Sequence, residues 1–241
     1  MDNQKKLPLS DRMKAIIDMV TRGNTCADIG CDHAYVPIYL YNEGICPKCL
    51  ACDIKEGPLE AAKKNIELYN AVAGVETRLS DGLKAVEPGE AETIIIAGMG
   101  GENICKILKG RPETASAAKE LILEPQSEPE KVRRLLPQLG FKIVDEDMIT
   151  ESLKFYAIIK AVPTDEEVKY SQIEIDYGPV LVRKMPKAFV TYLKRKRLSL
   201  IMILRKIGIF DKPHLGDAIE KAESELQTIM KLLTSYKKPK K

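Results

Sequence analysis

The 241 residues predict an α/β fold: a mostly parallel sheet over residues 1–162, followed by a helical hairpin over 163–241. Three observations carry this. Between residues 25 and 163, short apolar runs alternate with helical stretches, the pattern of stacked β-α units. Four of those runs end in glycine or acidic residues, at Gly30, Asp53, Asp81-Gly82 and Gly98-Met99-Gly100-Gly101. In open parallel sheets, ligands sit beyond the carboxyl ends of the strands. After Pro163 the period changes, and apolar residues recur at steps of three and four along two segments.

Residues 9–20 read as an amphipathic helix, with Ser10 or Asp11 as N-cap. Strands are expected at 25–29, 48–53, 75–80, 92–97 and 119–124, and helices at 34–43, 56–70, 101–110 and 128–138. Pro58 and Pro129 fall in first turns, where a missing N–H leaves no hydrogen bond unmade. Two further strands, 141–149 and 154–162, are separated by Thr150-Glu151-Ser152-Leu153. That spacing admits a hairpin but no crossover helix, so at least one strand there runs antiparallel. In the last part, Phe189, Leu193, Lys196, Leu200, Leu204 and Ile207 mark one seam. Leu215, Ile219, Ala222, Leu226, Ile229 and Leu233 mark another. The break at 208–216 between them makes an antiparallel coiled-coil hairpin the expectation, ending in a frayed, charged tail.

Composition narrows the function. Apolar residues make up 44%, enough for a sizeable core, while Trp is absent and aromatics reach only 5%, which argues against a base-stacking platform. No apolar run approaches the ~18 residues of a membrane span. The polar start of the chain is followed by no apolar leader, so a cytoplasmic protein with reduced thiols is expected. Cys46-Pro47-Lys48-Cys49-Leu50-Ala51-Cys52 resembles a metal motif, yet no second pair completes a four-ligand site, and His33 and His214 stand apart. Structural cysteines and no metal are expected. Residues 163–241 carry 17 Lys/Arg against 10 Asp/Glu, net +7, and the rest of the chain is net −4. Between Leu181 and Lys212 ten basic residues face one acid, Asp211. A solvated helix face would intersperse the signs, so Lys194, Arg195 and Arg197 are read as phosphate contacts on a polyanion.

The strand ends define the chemistry. Gly30 permits a tight turn and close backbone approach. A dinucleotide fingerprint requires a glycine where Asp32 stands. A carboxylate there repels a pyrophosphate and suits an amino group or a sulfonium. This disfavours a nicotinamide-dependent oxidoreductase and points to S-adenosylmethionine. Asp53 lies 23 residues beyond Gly30, the spacing at which a carboxylate accepts ribose hydroxyls. Asp81 is suited to accept from an adenine amino group. Each Asp alone reads as a helix cap or a turn; three at successive strand ends read as a site. The expected cofactor-binding residues are Asp28, Gly30, Asp32, His33, Ala34, Asp53, Ile54, Asp81, Gly82 and Gly98. Met99 and Gly100 border the reacting centre as the catalytic pair. The fourth strand end lacks the Asx-Pro-Pro-aromatic motif with which many methyltransferases orient an exocyclic amine. A ring nitrogen with its own lone pair, such as adenine N1, needs no such group.

The stretches Leu9 to Met13, Ala27 to Ala34, Asp81-Gly82, Gly98 to Gly101, Glu124-Pro125-Gln126 and Phe155-Tyr156 resemble the bacterial tRNA (adenine(22)-N(1))-methyltransferases. The resemblance implies a Rossmann-like class I methyltransferase sheet with an antiparallel strand near its C-terminal end, S-adenosylmethionine as cofactor, and tRNA as substrate. It also implies tRNA binding by the helical C-terminal part. Arg12, in one of the matching stretches, is expected to contact RNA beside Lys194, Arg195 and Arg197. A catalytically inactive RNA-binding adaptor on the same fold is the alternative outside enzymes.

Overall fold

The computed structural model describes residues 6–209 and 216–236. Leu215 of the second seam, His214 and the charged tail lie outside the described residues. Helix α1 spans Asp11–Asp18, and the Ser10 hydroxyl caps it by accepting from the Met13 N–H. The β-α units follow in order: β1 Cys26–Ile29, α2 Tyr35–Asn42, β2 Cys49–Asp53, α3 Glu56–Leu68, β3 Val75–Leu79, β4 Thr93–Gly100, α4 Gly101–Gly110 and α5 Pro112–Ser116. Next come β5 Glu120–Ser127, α6 Pro129–Leu135 with a 3-10 turn at Leu136–Leu139, β6 Phe141–Glu151 and β7 Lys154–Pro163. All seven expected strands form, and β4, β5 and β6 run longer than their apolar stretches. Helix α5 was not expected; five residues carry too little periodicity to read.

Among the described residues the sheet has the order β3-β2-β1-β4-β5-β7-β6. Strands β1 to β5 pair in parallel, and β7 runs antiparallel to both β5 and β6. Strand order reverses between β1 and β4, the switch point where such sheets hold ligands. The central strands are apolar on both faces. Ile94, Ile96, Leu121 and Leu123 pack to one side, and Ala51, Ile95, Ile122 and Ile158 to the other. Each such Ile or Leu contributes about 1.5–3 kcal/mol on burial. That continuous burial explains why these strands read as unbroken apolar runs.

The division between the two compact units falls between Val180 and Leu181, later than the boundary expected after residue 162. A buried ion pair accounts for it. The Arg133 guanidinium on α6 meets the Glu146 carboxylate on β6 at 2.8 Å, with both side chains almost wholly buried. Arg133 also donates to the Ile175 carbonyl at 3.1 Å, and Glu146 accepts from the Val180 N–H at 2.9 Å. Residues 163–180, which include the short helix α7 Gln172–Tyr177, are therefore tied to the sheet. A second short helix, α8 Pro179–Lys184, straddles the division.

The second unit is built on α9 Lys187–Ile209 and α10 Gly216–Ser235, which pack on each other. Phe189, Leu193, Leu200 and Ile229 of the two seams are buried. Lys196, at a seam position of α9, pairs with Glu225 of α10 at 2.5 Å.

Candidate active site

The turn after β1 is folded back on β2: the Gly30 and Cys31 N–H groups both donate to the Cys52 carbonyl, at 2.8 and 3.0 Å. Within it Gly30, Asp32 and Ala34 all have positive φ, at 81°, 47° and 58°. Only glycine takes that conformation freely; the other two cost about 1 kcal/mol each. Asp32, standing where a fingerprint glycine would be, thus keeps the glycine's backbone shape and adds a charge. A Cβ at Gly30 would collide with the Met99 side chain, which reaches across from the end of β4.

Behind this turn lies Asp28, buried in β1. Burial, and then the charge of Asp53, push its carboxyl from 3.8 to about 7. Asp53, at the end of β2, accepts from the Lys55 N–H at 3.0 Å. Ile54 beside it is exposed. Asp81 is exposed beyond β3 and pairs with Lys84 at 2.6 Å, next to Gly82. His33 is exposed, stacked on Tyr35 at 5.5 Å and 3.7 Å from the Asp32 carboxylate.

A cavity of about 280 Å³ opens over the switch point. It brings together Asp28, Gly30, Asp32, His33 and Gly98 of the expected cofactor residues, with Arg12 of α1 on its wall. Ala34, Asp53, Ile54, Asp81, Gly82, Met99 and Gly100 do not line it. Asp53, the last residue of β2, and Asp81, beyond the end of β3, lie instead at the neighbouring strand ends.

The ends of β4 and β5 carry features that the sequence reading did not assign. Ala97 pairs with Glu124, Met99 with Pro125 and Gly100 with Ser127. Gly98 on β4 and then Gln126 on β5 are the residues left over, one bulge on each strand. Gly98 has φ 77°, and its N–H donates to the Glu124 carboxylate at 2.7 Å. Glu124 is fully buried, and burial lifts its carboxyl to about 7 against the opposing pull of the Gly98 N–H and Arg12. One of its oxygens, Oε1, has no hydrogen-bond partner among the described residues. Arg12 lies 3.4 Å from Glu124, 3.7 Å from Glu151 and over the Tyr156 ring. Its charge is thus flanked by two carboxylates within the cavity wall. Gln126 is exposed at the cavity mouth beside Gly98. The only signal for Glu124 and Gln126 was the stretch Glu124-Pro125-Gln126, whose roles depend on the bulges.

In the second unit Lys194 and Arg195 are exposed and Arg197 is half-buried. The six cysteines are free and buried. Cys26 and Cys49 are register partners at the opposite end of the sheet from the cavity. Among the described residues, no group of three or more His, Cys, Asp or Glu could hold a metal ion, and no helix is long and apolar enough to cross a membrane.

Residues 9–159 match the family model of a methyltransferase domain. A tRNA (adenine(22)-N(1))-methyltransferase from Bacillus subtilis is 31% identical over 189 residues, 77% of this chain and 79% of its own length. A Streptococcus pneumoniae protein described as a candidate tRNA (m1A22) methyltransferase, solved with S-adenosyl-L-methionine, is 29% identical with TM-score 0.83, over 93% of this chain and 99% of its own. A Mycoplasma capricolum relative solved with S-adenosyl-homocysteine is 25% identical with TM-score 0.81, over 95% and 99%.

Proposed function

Because the chain belongs to the tRNA (adenine(22)-N(1))-methyltransferase family, we infer that it methylates N1 of adenine 22 in tRNA, using S-adenosylmethionine. One observation carries the reading: an acidic cavity at the sheet's switch point, bordered on one side by Ala97 and Gly98 of β4. The residues present fit the cofactor. Asp28 is a buried carboxyl whose charged neighbour, Asp53, has its own sign, and Asp32 adds another negative charge at the turn. Asp53 and Asp81 supply acceptors along the adjoining strand ends. A nicotinamide cofactor fits poorly, since Asp32 would oppose its pyrophosphate.

S-adenosylmethionine, when bound, supplies a methyl group on a cationic sulfur. The chain's own contribution is to hold and desolvate. Asp28 and Asp32 set negative charge against positive charge. Gly98 and Gly100 keep the approach to the reacting centre free of side chains, with Met99 at its border. The N1 lone pair of neutral adenine attacks with no proton to remove, so the chain needs no base there. Lys194, Arg195 and Arg197 on α9 are proposed to meet tRNA phosphates, and a tRNA substrate supports a cytoplasmic protein. Nucleoside mass spectrometry of tRNA treated with the protein and S-adenosylmethionine tests the reading: 1-methyladenosine supports it, and unmodified tRNA or N6-methyladenosine alone refutes it.

A further inference from the structure

The exposed amide of Gln126 has no function in the reading above. Its side chain forms no hydrogen bond among the described residues, although it lines the cavity. The two bulges account for its placement. The first makes Gly98 the extra residue of β4, and the second makes Gln126 the extra residue of β5. Bulges re-aim side chains, and they concentrate beside active sites. Pro125, buried between them, fixes the chain just before the amide. Glu124, one residue earlier, anchors the first bulge through its 2.7 Å bond from the Gly98 N–H. The Gln126 Nε2 comes within 3.8 Å of the position a Cβ at Gly98 would occupy. A donor and an acceptor are thus held, unspent, over the side-chain-free end of β4.

We propose that Gln126 reads the target adenine by a paired hydrogen bond to N6 and N7, leaving N1 free to take the methyl group. This rests on the methylation reading and names the residue that selects the base. The chemistry excludes the other pairing. A carboxamide set against N6 and N1 would donate to the N1 lone pair and block the attack. Set against N6 and N7, its oxygen accepts from the amino group and its NH₂ donates to N7. N6 is then held as a donor, N7 is occupied, and N1 is the ring nitrogen left with an open lone pair. Guanine presents acceptors at both O6 and N7, so the carboxamide oxygen opposes O6 and guanine is rejected. In this proposal the polar group missing from the end of β4 comes from the neighbouring strand.

The test compares full-length wild type with Gln126→Leu on two tRNA transcripts, one with adenine at position 22 and one with 7-deazaadenine there. On adenine, the variant loses roughly 10- to 100-fold in kcat/KM, the discrimination typical of a bidentate base contact. On 7-deazaadenine, wild type loses part of that factor, and the variant loses nothing further relative to its own rate on adenine. Binding of S-adenosylmethionine, followed by calorimetry, is unchanged, because Gln126 meets the base and not the cofactor. A variant with wild-type kcat/KM overturns the inference, and so does one that binds S-adenosylmethionine more weakly. A 7-deaza penalty that is equal in both proteins overturns the N7 contact and the proposal with it. Wild type that makes no 1-methyladenosine on the adenine transcript overturns the methylation reading itself.

Discussion

Replacing Asp28 with Asn should make the protein more stable, increasingly so as pH rises. Asp28 is buried in β1 with Asp53 as its charged neighbour, and both circumstances disfavour its ionised form. Its folded value of about 7 lies above the unfolded 3.8. The native state therefore holds the proton more tightly than the unfolded chain. The stability linked to this group is fully present below pH 4 and is lost as pH rises through 7. A difference from 3.8 to about 7 is worth about 4 kcal/mol at 1.36 kcal/mol per pH unit. Part of that is already lost at pH 5, where the unfolded carboxyl is ionised. Between pH 5 and pH 8 the advantage of the Asn variant should widen by about 2.5 kcal/mol. Urea unfolding of both proteins at several pH values measures this directly, with Glu124 and every other group cancelling in the difference. An advantage that stays constant within about 0.5 kcal/mol from pH 5 to pH 8 would refute the argument, because Asp28 would then titrate alike in both states.

Three further outcomes follow from other parts of the chain. Asp53→Ala should weaken S-adenosylmethionine binding by roughly 2 kcal/mol in calorimetry, through loss of a charged acceptor for ribose hydroxyls; wild-type affinity in the folded variant excludes that role. Arg133→Met should cost about 3–5 kcal/mol in urea unfolding by stranding the Glu146 carboxylate, and Glu146→Leu in the same chain should recover much of it; a loss below about 1 kcal/mol in the single variant removes the anchor assigned to residues 163–180. Replacing Lys194, Arg195 and Arg197 with Gln should weaken tRNA binding and flatten its salt dependence by about 0.7–0.9 per lost phosphate contact, with cofactor affinity intact. Unchanged tRNA affinity across salt concentrations would reduce that cluster to a solvated face.

The parts of the fold legible in the sequence are those with long-period patterns. Ile94-Ile95-Ile96 and Leu121-Ile122-Leu123 are buried on both faces, so they read as strands without any knowledge of their neighbours. The short stretch Thr150 to Leu153 between the last two expected strands forced an antiparallel pair by length alone. Contacts distant in sequence were not legible. Arg133 and Glu146 look like surface charges until α6 and β6 are placed together, and the boundary at Val180 depends on them. The same holds in the cavity. Asp28, Gly30 and Asp32 are read from one turn, but Glu124 acquires its role from Gly98 on the next strand. The placement of Gln126 beside Gly98 was not legible either: it depends on two register shifts, and register is set by pairing rather than by composition.

The two ends of the sheet's strands treat buried carboxylates in opposite ways. At the start of β5, Glu120 is buried, which alone would raise its pKa. The Lys160 ammonium at 2.8 Å, the Thr21 N–H and hydroxyl, and the Thr93 hydroxyl outweigh that, and Glu120 is held below its ordinary value. That end is complete in itself. At the other end Asp28 and Glu124 are equally withdrawn from water but receive fewer donors, and both stand near 7. Asp32 and Ala34 add backbone strain in the same few residues. Such an arrangement lowers the stability of the unliganded protein. It becomes favourable when a positively charged ligand enters the cavity and gives Asp28 the partner the fold withholds. Each proton that Asp28 gives up on binding then links affinity to pH, so cofactor binding should tighten as pH rises through 7. A cofactor affinity independent of pH between 6 and 8 would show that Asp28 keeps one protonation state throughout, and that the acidic end serves the sheet and not the ligand.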